Sequence, residues 1–223
     1  MGMIVTIDGP AGAGKSSIAR DVAAELDYSF LDTGAMYRAI TYGAMQKGID
    51  LNDVGTLVEF AEAAHLTWCD DRIDLDDNDI SVEIRTPQVT SNIRYIADPP
   101  EIRNCLMRQQ RRIAQGRDLV TEGRDQGTEV FPDAHCKVFL TASPEERARR
   151  RQSQLQASGR QVSFEEVLMA QNQRDLEDRM RPVGRLRAAP DAIVIQTDAM
   201  GPEQVKQAVL LAVQSCLEKQ AKP

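Results

Sequence analysis

Long apolar runs are absent from this chain. The most continuous of them, such as Ala208–Val213, fall far short of a bilayer span, so no membrane-spanning segment is expected. Histidine is nearly missing, with only His65 and His135, both in contexts that suggest surface or packing roles. Aromatic residues make up 4% of the chain, too few for a platform that stacks single-stranded bases. The four cysteines (Cys69, Cys105, Cys136 and Cys216) are scattered without CxxC spacing, which argues against a zinc site and suits a reduced, cytoplasmic setting. Lysine is also scarce, and the net charge of −7 argues against a nucleic-acid polymer as partner. The Met1–Ile4 start has neither a basic stretch nor a small-residue cleavage site, so no secretory signal is expected. Gly2 and Thr6 formally match a myristoylation pattern, but that stretch reads as the first core strand. Repeats, Gly/Ser linkers and low-complexity segments are lacking as well.

Arginine is plentiful instead: 21 against 6 lysines, with 17 of them between Arg94 and Arg187. Its planar fork matches carboxylate and phosphate oxygens, so an acidic chain with this bias points to recognition of a small anion. Solvated helix faces paired with Asp and Glu account for at least half of these arginines. At 223 residues, 42% hydrophobic and 27% charged, the chain has ordinary globular usage and the size of one domain, 1–223, with an insertion.

Short β-branched runs alternate with helix-period segments. Strands are expected at Met3–Asp8, Tyr28–Leu31, Asp118–Thr121, Lys137–Thr141 and Ala192–Gln196. Helices are expected near Lys15–Leu26, Ala35–Lys47, Val54–Ala64, Pro100–Gln115, Pro144–Gln156, Phe164–Asp178 and Pro202–Glu218. Ser143-Pro144-Glu145-Glu146 and Ser163-Phe164-Glu165-Glu166 both read as capping boxes. Such alternation implies an α/β fold with a parallel sheet flanked by helices. One stretch departs from it. Leu66–Ile84 reads as a hairpin around the acidic turn Asp76-Asp77-Asn78-Asp79, and with its flanks, 66–94, as a small antiparallel insertion.

Gly9-Pro10-Ala11-Gly12-Ala13-Gly14-Lys15-Ser16 fits GxxxxGK[ST] at every fixed position, directly between the first strand and the first helix. Glycines let backbone amides curl around phosphate oxygens, and the helix N-terminus adds positive potential. Lys15 can reach the outer phosphates and Ser16 can ligate magnesium, so the chain is expected to bind ATP and Mg2+ on a P-loop NTPase fold. A GTPase switch would need a guanine-reading NKxD, which does not occur. Leu119–Thr121 runs into Glu122-Gly123-Arg124-Asp125, an arginine and a carboxylate at the end of a strand where open α/β sheets bind ligands. Phosphate-to-phosphate transfer needs no general base, because the accepting oxygen is already ionised; positioning and charge neutralisation suffice. An arginine-rich, histidine-poor chain suits that chemistry. Asp32-Thr33-Gly34 also matches the aspartic-protease signature, but such an enzyme needs a second carboxylate of the same kind.

DGPAGAGKSS (Asp8–Ser17), LDTGAMYR (Leu31–Arg38), EIRT (Glu83–Thr86), EGRDQGTEVFPDA (Glu122–Ala134) and the run from Arg174 to Arg181 together resemble the bacterial cytidylate kinases, in order and over nearly the whole chain. The resemblance implies a nucleoside monophosphate kinase of pyrimidine metabolism, passing the γ-phosphate of ATP to CMP or dCMP. It implies that the 66–94 insertion binds the acceptor and that a short lid, about 151–162, closes over ATP together with Arg147, Arg150 and Arg151. By the same resemblance the loop Gly9–Ser17 holds ATP, and Ser16 the metal. Lys15, Arg124 and Arg181 would carry the transfer. Arg38, Arg124 and Arg181 would hold the CMP phosphate, with Thr33 also on the substrate. Arg103 and Asp125 would read the cytosine edge, and Arg174 and Asp178 the sugar hydroxyls. The small-molecule substrates would be the only partners, and the protein a monomer. The family often has a serine nine residues before the base-reading arginine; here that place holds Arg94, with Ser91 three residues earlier. Arginine can donate to a carbonyl that uracil also offers, which keeps UMP open as the acceptor. A non-catalytic nucleotide-binding regulator is the other alternative.

Overall fold

The computed structural model describes residues 2–69, 72–157 and 159–220; residues 70–71 of the expected insertion and Ser158 of the expected lid lie outside them. The chain divides into two compact units. One runs to Leu31 and resumes at Gly116, and the other is Asp32–Gln115.

The first unit is built on a five-stranded sheet in the order β2-β6-β1-β7-β8, comprising β1 (Ile4–Asp8), β2 (Ser29–Asp32), β6 (Leu119–Gly123), β7 (Cys136–Thr141) and β8 (Ile193–Gln196). The β6–β1, β1–β7 and β7–β8 pairings are parallel, with Ile7 opposite Glu122 and Asp8 opposite both Gly123 and Phe139. Strands buried on both faces read as continuous apolar runs, which is why Ile4–Asp8 and Leu119–Gly123 are legible as strands. Val5, Ile7, Val120, Val138 and Leu140 form the core with Ile18 and Val22 of α1 (Lys15–Leu26) and Val205, Val209 and Val213 of α9 (Pro202–Gln220). Glu122 lies inside β6 and is not the residue after it. The turn that follows, Gln126–Val130, is a π-helical stretch that no sequence periodicity announced.

The helices α7 (Pro144–Ala157) and α8 (Phe164–Met180) belong to the same unit. Only one of the two expected capping boxes is complete. Ser163 and Glu166 reciprocate at the start of α8. At α7 the Ser143 hydroxyl accepts from Glu146 N–H at 3.3 Å, but the Ser143 N–H goes to Asp198 at 2.9 Å. The Glu146 carboxylate is drawn instead to Arg150 at 3.0 Å, because a full cation four residues away competes with a backbone amide.

The second unit packs α2 (Thr33–Gln46), α3 (Val54–Ala63) and α6 (Pro100–Ile113) with a three-stranded antiparallel sheet, β3 (Leu66–Cys69), β4 (Arg72–Leu75) and β5 (Asn78–Asp79). The expected single hairpin is therefore a meander. Asp76 and Asp77, at φ 50° and 64°, make the two-residue turn between β4 and β5, a left-handed conformation that aspartate tolerates better than most residues. Past Asp79 the expected extended flank is helical, with α4 (Pro87–Asn92) and α5 (Arg94–Ala97). Thr86 explains it: its hydroxyl caps Val89 N–H at 3.4 Å, and Pro87 supplies a preset φ at the first helical position. In α2 a Cβ at Gly43 would lie 2.6 Å from Leu75 and Phe60 side chains, so glycine is what lets sheet and helix approach here.

Candidate active site

Asp8 ends β1, and the chain turns at once into Gly9 at φ 151°, Gly12 at 77° and Gly14 at 86°, positions where a side chain would be strained. Space is refused as well as dihedral freedom. A Cβ on Gly9 would lie 2.0 Å from the Leu140 carbonyl oxygen, and one on Gly12 would lie 2.6 Å from Gln171 Nε2. Within the loop, Lys15 Nζ donates to the Pro10 carbonyl at 2.9 Å, Ser17 Oγ donates to the Gly14 carbonyl at 3.0 Å, and Ala13 is buried. Outside it, Arg147 clamps the loop by donating from Nη1 to the Ala11 carbonyl at 2.9 Å, while the same guanidinium pairs with Asp175 at 2.7 Å. Arg147 and Asp175 are both buried.

Lys15 is 5% exposed, and burial followed by the Arg124 guanidinium pushes its ammonium down to about 7, against the pull of Glu122 and Asp8. Ser16 Oγ donates to Glu122 Oε1 at 2.7 Å. Next along the chain, Arg124 Nε donates to Asp178 Oδ2 at 2.9 Å, and Arg181 Nη2 lies 2.7 Å from Asp178 Oδ1. Burial alone would raise the Asp178 carboxyl, but Arg124, Arg181 and Arg174 hold it below the usual carboxylate range. One carboxylate thus aligns two guanidiniums that retain 18% and 12% of their side-chain exposure, enough to meet an anion. Asp125 is buried beside them in the sequence, and its carbonyl accepts from Glu129 and Val130 N–H at 2.8 and 3.2 Å.

The structure therefore gathers Lys15, Ser16, Arg124, Arg174, Asp178 and Arg181 of the first unit into one electrostatic cluster. Not singled out from sequence were Asp8, Glu122 as the acceptor for Ser16, and the pairing of Arg147, expected with the lid, with Asp175 behind the loop. The acidic residues at the end of β1 and inside β6 are the sequence signal that could have indicated the first two. Arg150 donates to the Thr197 hydroxyl and carbonyl at 3.0 and 2.6 Å, and Arg151 reaches Gln154 at 3.4 Å.

In the second unit, Asp32 caps α2 by accepting from Ala35 N–H at 2.9 Å, which is what the Asp-Thr-Gly stretch does here, and Thr33 is buried behind it. Arg38 Nη1 donates to Thr90 Oγ1 at 2.8 Å. Arg103 is buried, donates to the Ala97 carbonyl at 2.9 Å and stacks over Tyr37 at 5.2 Å. Arg94 lies exposed against the Tyr95 ring at 5.0 Å, and Ser91 Oγ donates to the Gln88 carbonyl at 3.0 Å.

A match to the Cytidylate kinase family runs over residues 5–215. The chain belongs to the cytidylate kinase family. It is similar to the cytidylate kinase of Rhodopirellula baltica, 73% identical over 98% of this chain and 96% of that protein. The cytidylate kinase of Caldanaerobacter subterraneus is 43% identical over 94% of this chain and 93% of that one. A bifunctional pantoate ligase/cytidylate kinase of a Synechococcus species is 47% identical over 97% of this chain, which spans 41% of that longer protein. Among solved structures, a gluconokinase from Sinorhizobium meliloti superposes with a TM-score of 0.51 at 19% identity, over 98% of this chain and 95% of that one. That likeness concerns the fold alone, a parallel sheet flanked by helices. As a kinase of this family the chain uses ATP and a small nucleotide acceptor. Among the described residues no helix is long and apolar enough to cross a membrane.

Proposed function

We propose that this chain transfers the γ-phosphate of ATP to CMP or dCMP, giving CDP or dCDP. The observation that carries the reading is the Arg124–Asp178–Arg181 bridge in the same unit as the glycine loop and Lys15. Asp178 presents two half-neutralised guanidiniums, so an incoming phosphate would complete their pairing without leaving a bare cation cluster behind. Lys15, buried and pushed toward neutrality, would have its ammonium form stabilised by the phosphates of ATP. Arg38 of the second unit would hold the CMP phosphate, with Thr33 on the same substrate. Arg103 and Asp125 would meet the cytosine edge, the carboxylate accepting from the exocyclic amine that uracil lacks. Arg174 would serve the sugar hydroxyls together with Asp178.

Ser16 Oγ and Glu122 Oε1, 2.7 Å apart, form an oxygen donor set of the kind a hard divalent cation takes. Ser16 would hold magnesium, with Glu122 orienting the hydroxyl. Bound magnesium would neutralise charge on the transferring phosphate oxygens. Everything else falls to the chain: Lys15 and the arginines align donor and acceptor, and no side chain has to remove a proton from the accepting phosphate. The setting would be the cytoplasm, with the protein acting as a monomer.

The test is ADP formation from ATP and magnesium with CMP, dCMP, UMP and AMP supplied separately. Turnover with CMP or dCMP well above that with UMP is expected. Equal CMP and UMP rates would move the acceptor reading to pyrimidine monophosphates in general and make Arg94 the residue to change next. Absence of turnover with all four would overturn the transfer itself.

A further inference from the structure

Asp8 has no part in the transfer outlined above, yet its carboxylate is 4% exposed at the end of the strand that launches the phosphate loop. A buried carboxylate persists only where donors meet it. Both of its oxygens are met by main chain far along the sequence. Oδ1 accepts from Gln126 N–H at 2.9 Å and Oδ2 from Gly127 N–H at 2.7 Å. Those are the two peptide groups immediately after Asp125. They open the π-helical turn Gln126–Val130, a rare geometry often found at functional sites. Further support comes from Thr121 Oγ1, which donates to Gln126 Oε1 at 3.0 Å. The underside is closed, since a Cβ on Gly127 would lie 2.9 Å from Thr6 Oγ1 and 3.3 Å from the Lys137 side chain.

We propose that Asp8 is a positioning residue for acceptor selection: its two-oxygen clamp on the Gln126 and Gly127 amides fixes the turn that aims Asp125, and thereby ties the acceptor-reading carboxylate to the first residue of the phosphate loop. The proposal rests on the reading of Asp125 as the group that meets the cytosine amine. Its physical basis is leverage. Gly9 follows Asp8 and Asp125 precedes Gln126, so one side chain sets the register between the two ends of the reaction. A shift of about 1 Å in such a register is enough to cost about a hundredfold in rate. Asparagine is nearly isosteric but has a single acceptor oxygen, so one of the two amides would face an N–H2 group instead.

The experiment compares Asp8→Asn with Asp125→Asn in steady-state kinetics for CMP, UMP and ATP, together with hydrogen exchange over 123–131. Asp8→Asn is expected to lower kcat/KM for CMP at least about tenfold, to narrow the CMP over UMP preference, and to leave the KM for ATP within about threefold. Amide exchange at Gln126–Val130 should rise. Gly127→Ala, which pushes the same turn from beneath without touching Asp8, should reproduce the acceptor-side loss, and it stands in if Asp8→Asn does not fold. Unchanged CMP parameters in Asp8→Asn, or equal losses toward ATP and CMP with a lower melting temperature, would reduce Asp8 to a structural residue and overturn the proposal. If Asp125→Asn keeps the CMP preference, the base-reading role falls and the selection proposal falls with it. A loss of preference in Asp125→Asn alone keeps that role and rejects only the part given to Asp8.

Discussion

Lys15 joins two properties that rarely coexist: it is a cation, and it is buried beside another cation, Arg124. Its environment disfavours the charge it must carry, which is the arrangement expected where an anionic ligand completes the electrostatics. Replacing it with methionine removes the cost of burying an ammonium while keeping most of the volume. Lys15→Met is therefore expected to keep or raise the melting temperature and to lower kcat by at least about a hundredfold, since donor groups aimed at developing charge are worth about 3 kcal/mol or more each. A thermal melt beside a coupled ADP assay separates the two effects. Full activity in the variant would remove Lys15 from the transfer. The residue types of the site were readable from sequence because the glycine-loop pattern is local, eight consecutive positions in strand–loop–helix context. The partners were not, because the Ser16–Glu122 contact spans 106 residues and local spacing says nothing about it.

At the scale of elements, the loop depends on α7 and α8 as much as on β1. Arg147 on α7 reaches the Ala11 carbonyl and is neutralised by Asp175 on α8, and Gln171 on α8 donates to the Arg147 carbonyl at 3.4 Å. Removing one member of a buried pair leaves the other charge without compensation, which is costlier than never having had the pair. Asp175→Ala should therefore destabilise the protein by about 3–5 kcal/mol in urea unfolding. A change below about 1 kcal/mol, the range of an exposed pair, would show that Arg147 finds other acceptors. Capping illustrates how far sequence carries at this scale. Ser163 and Ser143 head the same motif, but the distant Asp198 takes the Ser143 N–H and Arg150, one turn along the same helix, takes the Glu146 carboxylate, and the two together dismantle half of the box at Ser143. The flank after Asp79 misled for the opposite reason. Its β-branched residues suggested strand, while Thr86-Pro87, a two-residue helix start, overrode them.

Across the whole molecule, the alternation of strands and helices was visible because a doubly covered parallel sheet imposes period-free apolar runs between amphipathic helices. Strand order and the extent of the second compact unit, Asp32–Gln115, were not, since both depend on pairings between distant segments. Asp8 joins two such segments, and it gives the global stability a pH dependence. Burial, opposed by the Gly127 and Gln126 amides and by Lys15 and assisted by the Asp125 charge, raises its carboxyl from 3.8 to about 7. A folded-state value above the unfolded one means that the native protein binds this proton more tightly. The stabilisation is fully present below about pH 4, is lost as pH rises toward 7, and changes little above that. Asp8→Asn carries no such proton. The unfolding free energy of the parent chain minus that of Asp8→Asn should therefore fall from about pH 5 to about pH 7 and level off toward about pH 8.5. Urea titrations of both proteins across that range test the sign directly. A difference that rises over the interval has the wrong sign for a raised carboxyl and would overturn it. A flat difference would show that Asp8 titrates outside the interval.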